Sequence, residues 1–159
     1  MINHPFLPVY DKDSEILILG SFPSVISRKE NFYYANKQNR FWKVLAAVLE
    51  KDVPATVEDK KRLLSENKIA LWDVIESCEI IQSYDSSIRN VKVNDLSLIV
   101  NNGNIRKIGC NGDKAYQLYK KYVFPTVKIE AVRLPSTSSA NAGCKLDNLT
   151  QIYREFIKH

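Results

Sequence analysis

The feature that most limits what this chain can become is a pair of short, almost wholly apolar runs, each closed by a turn-forming or polar residue. They are Glu15-Ile-Leu-Ile-Leu-Gly20 and Lys68-Ile-Ala-Leu-Trp-Asp-Val-Ile75. A run this short with no polar alternation reads as a strand buried on both faces, and strands of that kind occur in parallel sheets covered by helices. Around them the pattern changes to helical spacing. Residues 39–50 place apolar side chains at 41, 42, 45, 48 and 49; residues 57–67 form a charged amphipathic stretch with Leu63 and Leu64 inward.

The second half repeats the alternation. Residues 94–101 predict a short helix with Asn94 as its N-cap. Residues 105–110 predict a third strand, Asn111-Gly112 a turn, and residues 114–121 a helix. Residues 127–134 alternate and predict a fourth strand. A final helix over roughly 145–157 carries Leu146, Leu149, Ile152, Tyr153 and Phe156 on one face. Strands alternating with helices define an α/β sandwich around a mostly parallel sheet. With 159 residues and no linker, repeat or low-complexity stretch, residues 1–159 read as a single domain.

Charge is distributed unevenly. Residues 1–80 carry 11 Lys/Arg against 12 Asp/Glu, whereas residues 81–159 carry 12 against 6. A one-sided basic surface would attract phosphate. Cys78, Cys110 and Cys144 are odd in number and irregularly spaced, which fits neither a disulfide framework nor a metal motif. The only histidines, His4 and His159, lie near the ends, so no zinc site is expected. No apolar run reaches membrane-spanning length, and the first residues lack a signal-peptide pattern. The expectation is an intracellular, cytoplasmic, soluble monomer without cofactor or metal.

In open parallel sheets, ligands sit beyond the carboxyl ends of the strands. Here those ends are Gly20-Ser-Phe-Pro23, Trp72-Asp73, Asn111-Gly112 and Leu134-Pro-Ser-Thr-Ser138. Phe22 could stack on a flat ring or could be a core side chain. Asn39, before the Phe41-Trp42 pair, could cap a helix or hold a water by its amide. The small polar loop from Leu134 to Gly143 could clamp phosphates or could be plain surface loop. Asp85 could be an acid or could cap its own loop by accepting from the Ser87 N–H.

The strings themselves are more specific. Gly20-Ser-Phe-Pro23, Tyr33-Tyr-Ala35, Asn39-Arg-Phe-Trp42, Leu71-Trp-Asp-Val74, Asp85-Ser-Ser-Ile88, Asn111-Gly112 with Ala115, and Leu134 through Ala142 occur in that order. Together they resemble the hypoxanthine (deoxyinosine) DNA glycosylase family of the uracil-DNA glycosylase superfamily, over nearly the whole chain. Two positions depart from that pattern. Ser24 stands where the family usually has Gly, which would narrow access at the turn. Ser139 stands where it usually has Pro, which would loosen the loop.

The resemblance implies a three-layer α/β/α sandwich around a four-stranded sheet, and a monofunctional enzyme with no lyase step. It would act on DNA containing a deaminated base, flipping the nucleotide into a pocket and hydrolysing its N-glycosidic bond. Hypoxanthine is the first choice of base, with uracil and xanthine as further substrates. Other branches of the superfamily keep a polar water-holding residue where this chain has Phe22, and many keep a histidine where it has Leu134. The resemblance therefore moves the water-holding role to Asn39. It assigns base binding to Gly20, Ser21, Phe22, Pro23, Tyr34, Trp72, Asp73 and Asn111. It assigns DNA contact to Pro135, Ser136, Thr137, Ser138, Ser139 and Asn141. Two rival classes remain at this stage: a non-catalytic DNA-binding module on the same fold, and an enzyme acting on free nucleosides.

Overall fold

Both apolar runs become neighbouring strands of one sheet. The computed structural model describes residues 1–102 and 104–159. Strand β1 is Ile2–Asn3, β2 is Ile16–Gly20 and β3 is Ile69–Asp73. Strand β4 is Ile75–Glu79, β5 is Arg89–Val93, β6 is Lys107–Asn111 and β7 is Ala131–Leu134. The main sheet has the order β3-β2-β6-β7, and every pairing in it is parallel. All five residues of β2 and of β3 are buried. Because successive side chains of a strand point to opposite faces, this requires cover on both sides of the sheet. The expected three-layer arrangement follows.

The helices that supply the cover are set by caps and apolar stripes. Helix α1 (Val25–Glu30) was not foreseen; Ser24 caps it by accepting from Ser27 N–H at 3.2 Å. Ser24 has an ordinary extended backbone (φ −62°), so the departure from Gly adds a cap rather than a strained turn. Helix α2 (Phe41–Leu49) buries Phe41, Trp42, Val44, Leu45 and Leu49. Helix α3 (Val57–Glu66) is capped by Thr56, carries Glu58 and Asp59 in its first turn, and buries Leu63 and Leu64. Helix α7 (Leu146–Lys158) buries Leu149, Tyr153, Phe156 and Ile157 and packs on α2 and β7.

Between them, α4 spans Ser97–Asn102, α5 spans Asp113–Leu118 and α6 spans Phe124–Val127. A π-helical turn, Tyr119–Val123, joins α5 to α6 just before Pro125, whose ring cannot sit over an α-helical carbonyl four residues back. The expected 127–134 strand shortens accordingly, since residues through Val127 are helical.

Two corrections concern the middle of the chain. The predicted strand 68–75 is really two strands that separate at Val74 and enter different sheets. β4 lies in a small antiparallel sheet of order β1-β4-β5. Asn94 does not cap α4. Asp95 Oδ1 accepts from Ser97 N–H at 3.1 Å, just ahead of the helix. Asn94 is instead buried, and its amide donates to Asp73 O at 2.8 Å and Ile75 O at 3.2 Å, pinning the chain where β3 gives way to β4. The residues before β2 also fold back on the sheet: Val9 bridges Leu71, with N···O distances of 2.9 Å in both directions. None of the helices is long and apolar enough to cross a membrane among the described residues.

Candidate active site

Three strands of the parallel sheet deliver their last residues, Gly20, Asp73 and Asn111, to one cavity, and Leu134 at the end of β7 lines the groove beside it. A cavity of about 260 Å³ is lined there by Gly20 to Ser24, Tyr34, Asn39, Asp73, Asn111 and Ser136 to Ala140, among others. An adjoining groove of about 960 Å³ shares Ser136, Ser138 and Asp85 with it, and continues past Lys114, Arg133 and Asn141. Most of the residues singled out from sequence are thus brought together. Trp72 is the exception. It is buried but lines neither space, because on β3 it faces away from the side that carries Asp73.

At the floor, Gly20 has a specific job. A Cβ built on it would lie 2.4 Å from Asp73 Oδ1 and 3.1 Å from the Tyr34 hydroxyl. The glycine therefore makes room for two polar groups rather than for backbone contact with a ligand. Asp73 is 3 % exposed. Its other oxygen, Oδ2, lies 2.7 Å from His4 Nε2, and both side chains are almost entirely buried. His4 follows β1, whose pairing with β4 carries it over the end of β3, and its own N–H donates to Glu76 O at 2.7 Å. Sequence reasoning used His4 only to argue against zinc; no local signal links it to a residue 69 positions away.

Tyr34 adopts a left-handed backbone (φ 52°) and stacks on Phe41 with ring centroids 4.2 Å apart. Its hydroxyl is buried and has no hydrogen-bond partner among the described residues. Burial and the nearby Asp73 push its ionisation far above the usual tyrosine range, the adjacent Asn111 side chain pulling weakly the other way, so the hydroxyl stays neutral. Phe22 is 8 % exposed, with His4 edge-on at 6.0 Å and the Arg28 guanidinium 5.6 Å from its ring centre. Phe22 packs in the core and lines the cavity wall.

On the opposite wall, Asn39, Thr137 and Asn111 form one network. Asn39 Oδ1 accepts from Phe41 N–H at 2.9 Å and from the Thr137 hydroxyl at 2.8 Å. The N-cap position is Arg40, so Asn39 closes the turn ahead of the helix rather than capping it, and it also lines the cavity. Asn111 donates from Nδ2 to Thr137 Oγ1 at 3.0 Å and accepts Thr137 N–H on Oδ1 at 3.0 Å. Both ends of its carboxamide are occupied, so it braces the loop. Gly112 turns the chain immediately after it with φ 99°, a conformation that favours glycine.

Thr137 is fully buried, and its hydroxyl donates to Asn39 and accepts from Asn111. Around it, Ser136 Oγ accepts Ser138 N–H at 3.1 Å and Ser138 Oγ accepts Ala140 N–H at 3.2 Å. Beneath the loop lies Arg40, which the sequence reading passed over. Its guanidinium donates to Ser138 O at 2.9 Å, Asn141 O at 3.1 Å and Thr137 O at 3.3 Å, and also to Cys144 O. This clamp holds the loop although the exposed Ser139 supplies no proline rigidity.

At the mouth, Asp85 does not cap Ser87, whose N–H goes to Tyr84 O. Asp85 Oδ1 accepts the Ser21 hydroxyl at 2.8 Å. Loss of surrounding water raises the Asp85 carboxyl above its ordinary range even though the residue as a whole is exposed, opposed by the Ser21 hydrogen bond and by Lys114. The described residues contain no group of three His, Cys, Asp or Glu side chains able to hold a metal. The cysteines are free, and burial pushes the Cys110 thiol up to about 12.

This arrangement agrees with the comparisons to known proteins. The sequence model of the uracil DNA glycosylase superfamily matches residues 7–157. A hypoxanthine DNA glycosylase of Methanosarcina barkeri (strain Fusaro / DSM 804) is 30% identical over 143 residues, covering 89% of each chain. A protein of the same name from Methanosarcina acetivorans is 35% identical over 143 residues, again 89% of each. A solution NMR structure from Methanosarcina acetivorans, assigned provisionally as a uracil DNA glycosylase, superposes with a TM-score of 0.80 at 32% identity over 100% of both chains. With the sheet, the cleft at its carboxyl edge and the flanking loops all in place, the chain belongs to the uracil DNA glycosylase superfamily.

Proposed function

We propose that this protein is a monofunctional DNA glycosylase that hydrolyses the N-glycosidic bond of a flipped deaminated base, with hypoxanthine in deoxyinosine as its first substrate. The observation that carries the reading is the meeting of Asp73, Tyr34 and Asn39 in one base-sized cavity, beside a groove bearing Lys114 and Arg133. The base enters between Phe22 and the floor. The flanking strand follows the groove, where Ser136, Ser138 and Asn141 offer polar contacts and Lys114 offsets phosphate charge; the Arg133 guanidinium is held at 2.6 Å by Asp113, which lines the same groove.

Asn39 is the residue assigned to the water. Its Oδ1 already accepts two hydrogen bonds, so the carboxamide is held in one orientation. Nδ2 is then the edge that meets water without disturbing the network. A water that accepts from Nδ2 keeps a second lone pair for the sugar carbon; as that bond forms, the bond to the base breaks with its electron pair on the base, and the proton the water sheds neutralises the departing base. Asp73 accepts from the ring N–H of the base. Asp85 sits at the mouth, where its Oδ1 accepts the Ser21 hydroxyl at 2.8 Å, and is the runner-up acid.

The test uses oligonucleotides with one deoxyinosine, uracil or xanthine, followed by alkali cleavage of abasic sites, with free inosine as a parallel substrate. Hypoxanthine release from DNA and not from the nucleoside is expected. Salt-dependent binding with no release from any oligonucleotide would make the protein a binding module; activity on inosine alone would make it a nucleoside enzyme. Asn39→Ala should lose at least about tenfold in rate, since orienting groups contribute at least that much. Unchanged turnover would remove Asn39 from its role.

A further inference from the structure

The buried contact between His4 and Asp73 has an acceptor at one end and a cavity at the other. His4 Nδ1 lies 2.8 Å from Phe6 O, a carbonyl that can only accept, so Nδ1 carries a proton. The 3.5 Å approach of Phe6 N–H to the same nitrogen is too long to compete. His4 Nε2 lies 2.7 Å from Asp73 Oδ2. A proton must lie between these two atoms as well, whether nitrogen or oxygen holds it. In either distribution the proton sits on the Oδ2 side. Oδ1, over Gly20 and next to the unpartnered Tyr34 hydroxyl, carries none. The ring is fixed from other sides by Phe6 at 4.6 Å, Phe22 at 6.0 Å and Tyr33 at 6.2 Å.

We propose that His4 is a positioning residue that keeps Asp73 Oδ1 a pure acceptor, so that Oδ1 and the Tyr34 hydroxyl together select bases presenting a ring N–H beside a carbonyl. The proposal rests on the reading above, in which Asp73 meets the base. Hypoxanthine presents N1–H beside the C6 carbonyl, and uracil and xanthine present the same donor–acceptor order. Adenine and cytosine present the reverse order, a bare ring nitrogen beside an amino group. Against them an acceptor-only Oδ1 faces a lone pair and the Tyr34 donor faces a donor. A site built for one hydrogen-bond pattern rejects its inverse strongly, because buried polar groups are left unpaired. Guanine carries the lactam edge with an added 2-amino group. The pair therefore sorts lactam bases from amino bases, and leaves guanine to be excluded by other contacts.

Without His4, no ring nitrogen ties a proton to the Oδ2 side, so Oδ1 is no longer held as the bare acceptor, and an Oδ1 that bears a proton would meet a bare ring nitrogen. The test compares single-turnover release from oligonucleotides containing deoxyinosine or deoxynebularine, whose unsubstituted purine offers a bare N1 and no carbonyl. His4→Leu should lower the inosine-to-nebularine rate ratio by at least about tenfold, the equivalent of one unpaired buried polar group. His4→Gln, which keeps an amide N–H for Oδ2, should recover most of it.

Asp73→Asn gives a second, independent readout. With Nδ1 protonated, neutral His4 accepts the asparagine N–H at Nε2 and leaves Oδ1 as acceptor. The preference should therefore survive in Asp73→Asn even if the rate falls, and should vanish in the His4→Leu/Asp73→Asn double variant. A His4→Leu protein that slows on both substrates equally, or an Asp73→Asn protein that loses the preference with His4 intact, overturns the proposal. If the wild-type protein releases no hypoxanthine, the glycosylase reading fails on its own. The ratio of oligonucleotide affinities for the same two bases then decides the role of His4 by the same criteria.

Discussion

Gly20→Ala is the substitution whose effect follows most directly from the geometry. The added methyl would stand 2.4 Å from Asp73 Oδ1 and 3.1 Å from the Tyr34 oxygen. An ordinary carbon–oxygen contact is about 3.3 Å, close to the well of the non-bonded attraction, so the carboxyl must retreat by about 1 Å. It is not a free side-chain end, because Oδ2 is bound to His4 at 2.7 Å. The strand must yield or the pair must break. Overpacking of this kind costs about 1–3 kcal/mol, and for a chain of this size the melting temperature should fall by roughly 3–10 °C. A displacement of about 1 Å at a substrate-positioning group costs about a hundredfold in rate. Thermal melting followed by circular dichroism, paired with single-turnover release of hypoxanthine, measures both. A Gly20→Ala protein with wild-type turnover would refute the claim that the glycine exists to seat Asp73. A protein that fails to fold would show instead that the backbone, not the carboxyl, gives way.

Thr137→Val keeps the shape of the side chain but removes the hydroxyl shared by Asn39 and Asn111. It should cost about 1–3 kcal/mol for the buried groups left unpaired, and an unchanged melting temperature would show that the network adds nothing. Replacing both Lys114 and Arg133 by Ala should reduce the salt dependence of DNA binding by about one to two phosphate contacts, and a slope equal to wild type would place the strand elsewhere. Asp85 holds its proton to higher pH in the folded state than its ordinary value of 3.8, so its contribution to stability falls as pH rises from that value through the folded one. Asp85→Asn, which still accepts from Ser21, should therefore melt higher than wild type at neutral pH. The gain should vanish in acid below the ordinary carboxyl value. A lower melting temperature at neutral pH would reverse the assigned sign.

Much of this site was visible before any coordinates. The two apolar runs marked β2 and β3, and the rule that ligands sit at strand ends drew Gly20, Asp73, Asn111 and the Ser136–Ser138 loop toward one place. What the strings did not reveal was direction. Trp72 and Asp73 are adjacent, but only one of them can face the cleft. Asn111 and Thr137 have the chemistry for base and phosphate contact, and only the folded chain shows that they also hydrogen-bond each other. Arg40 passed as one of many charges until its carbonyl partners near the end of the chain came into view.

The sequence by itself determined the alternation of strands and helices, the glycines and caps that end them, and the stock of polar residues at the strand ends. These depend on side-chain periodicity and local backbone preference, which act over a few residues. Only the tertiary structure decided which of those residues are free to act. The small β1-β4-β5 sheet brings His4 to Asp73 across 69 positions. Hydrogen bonds between distant segments then determine which lone pair or N–H remains for a ligand. Such pairings are long-range and compete for the same few atoms, and no local pattern records the outcome.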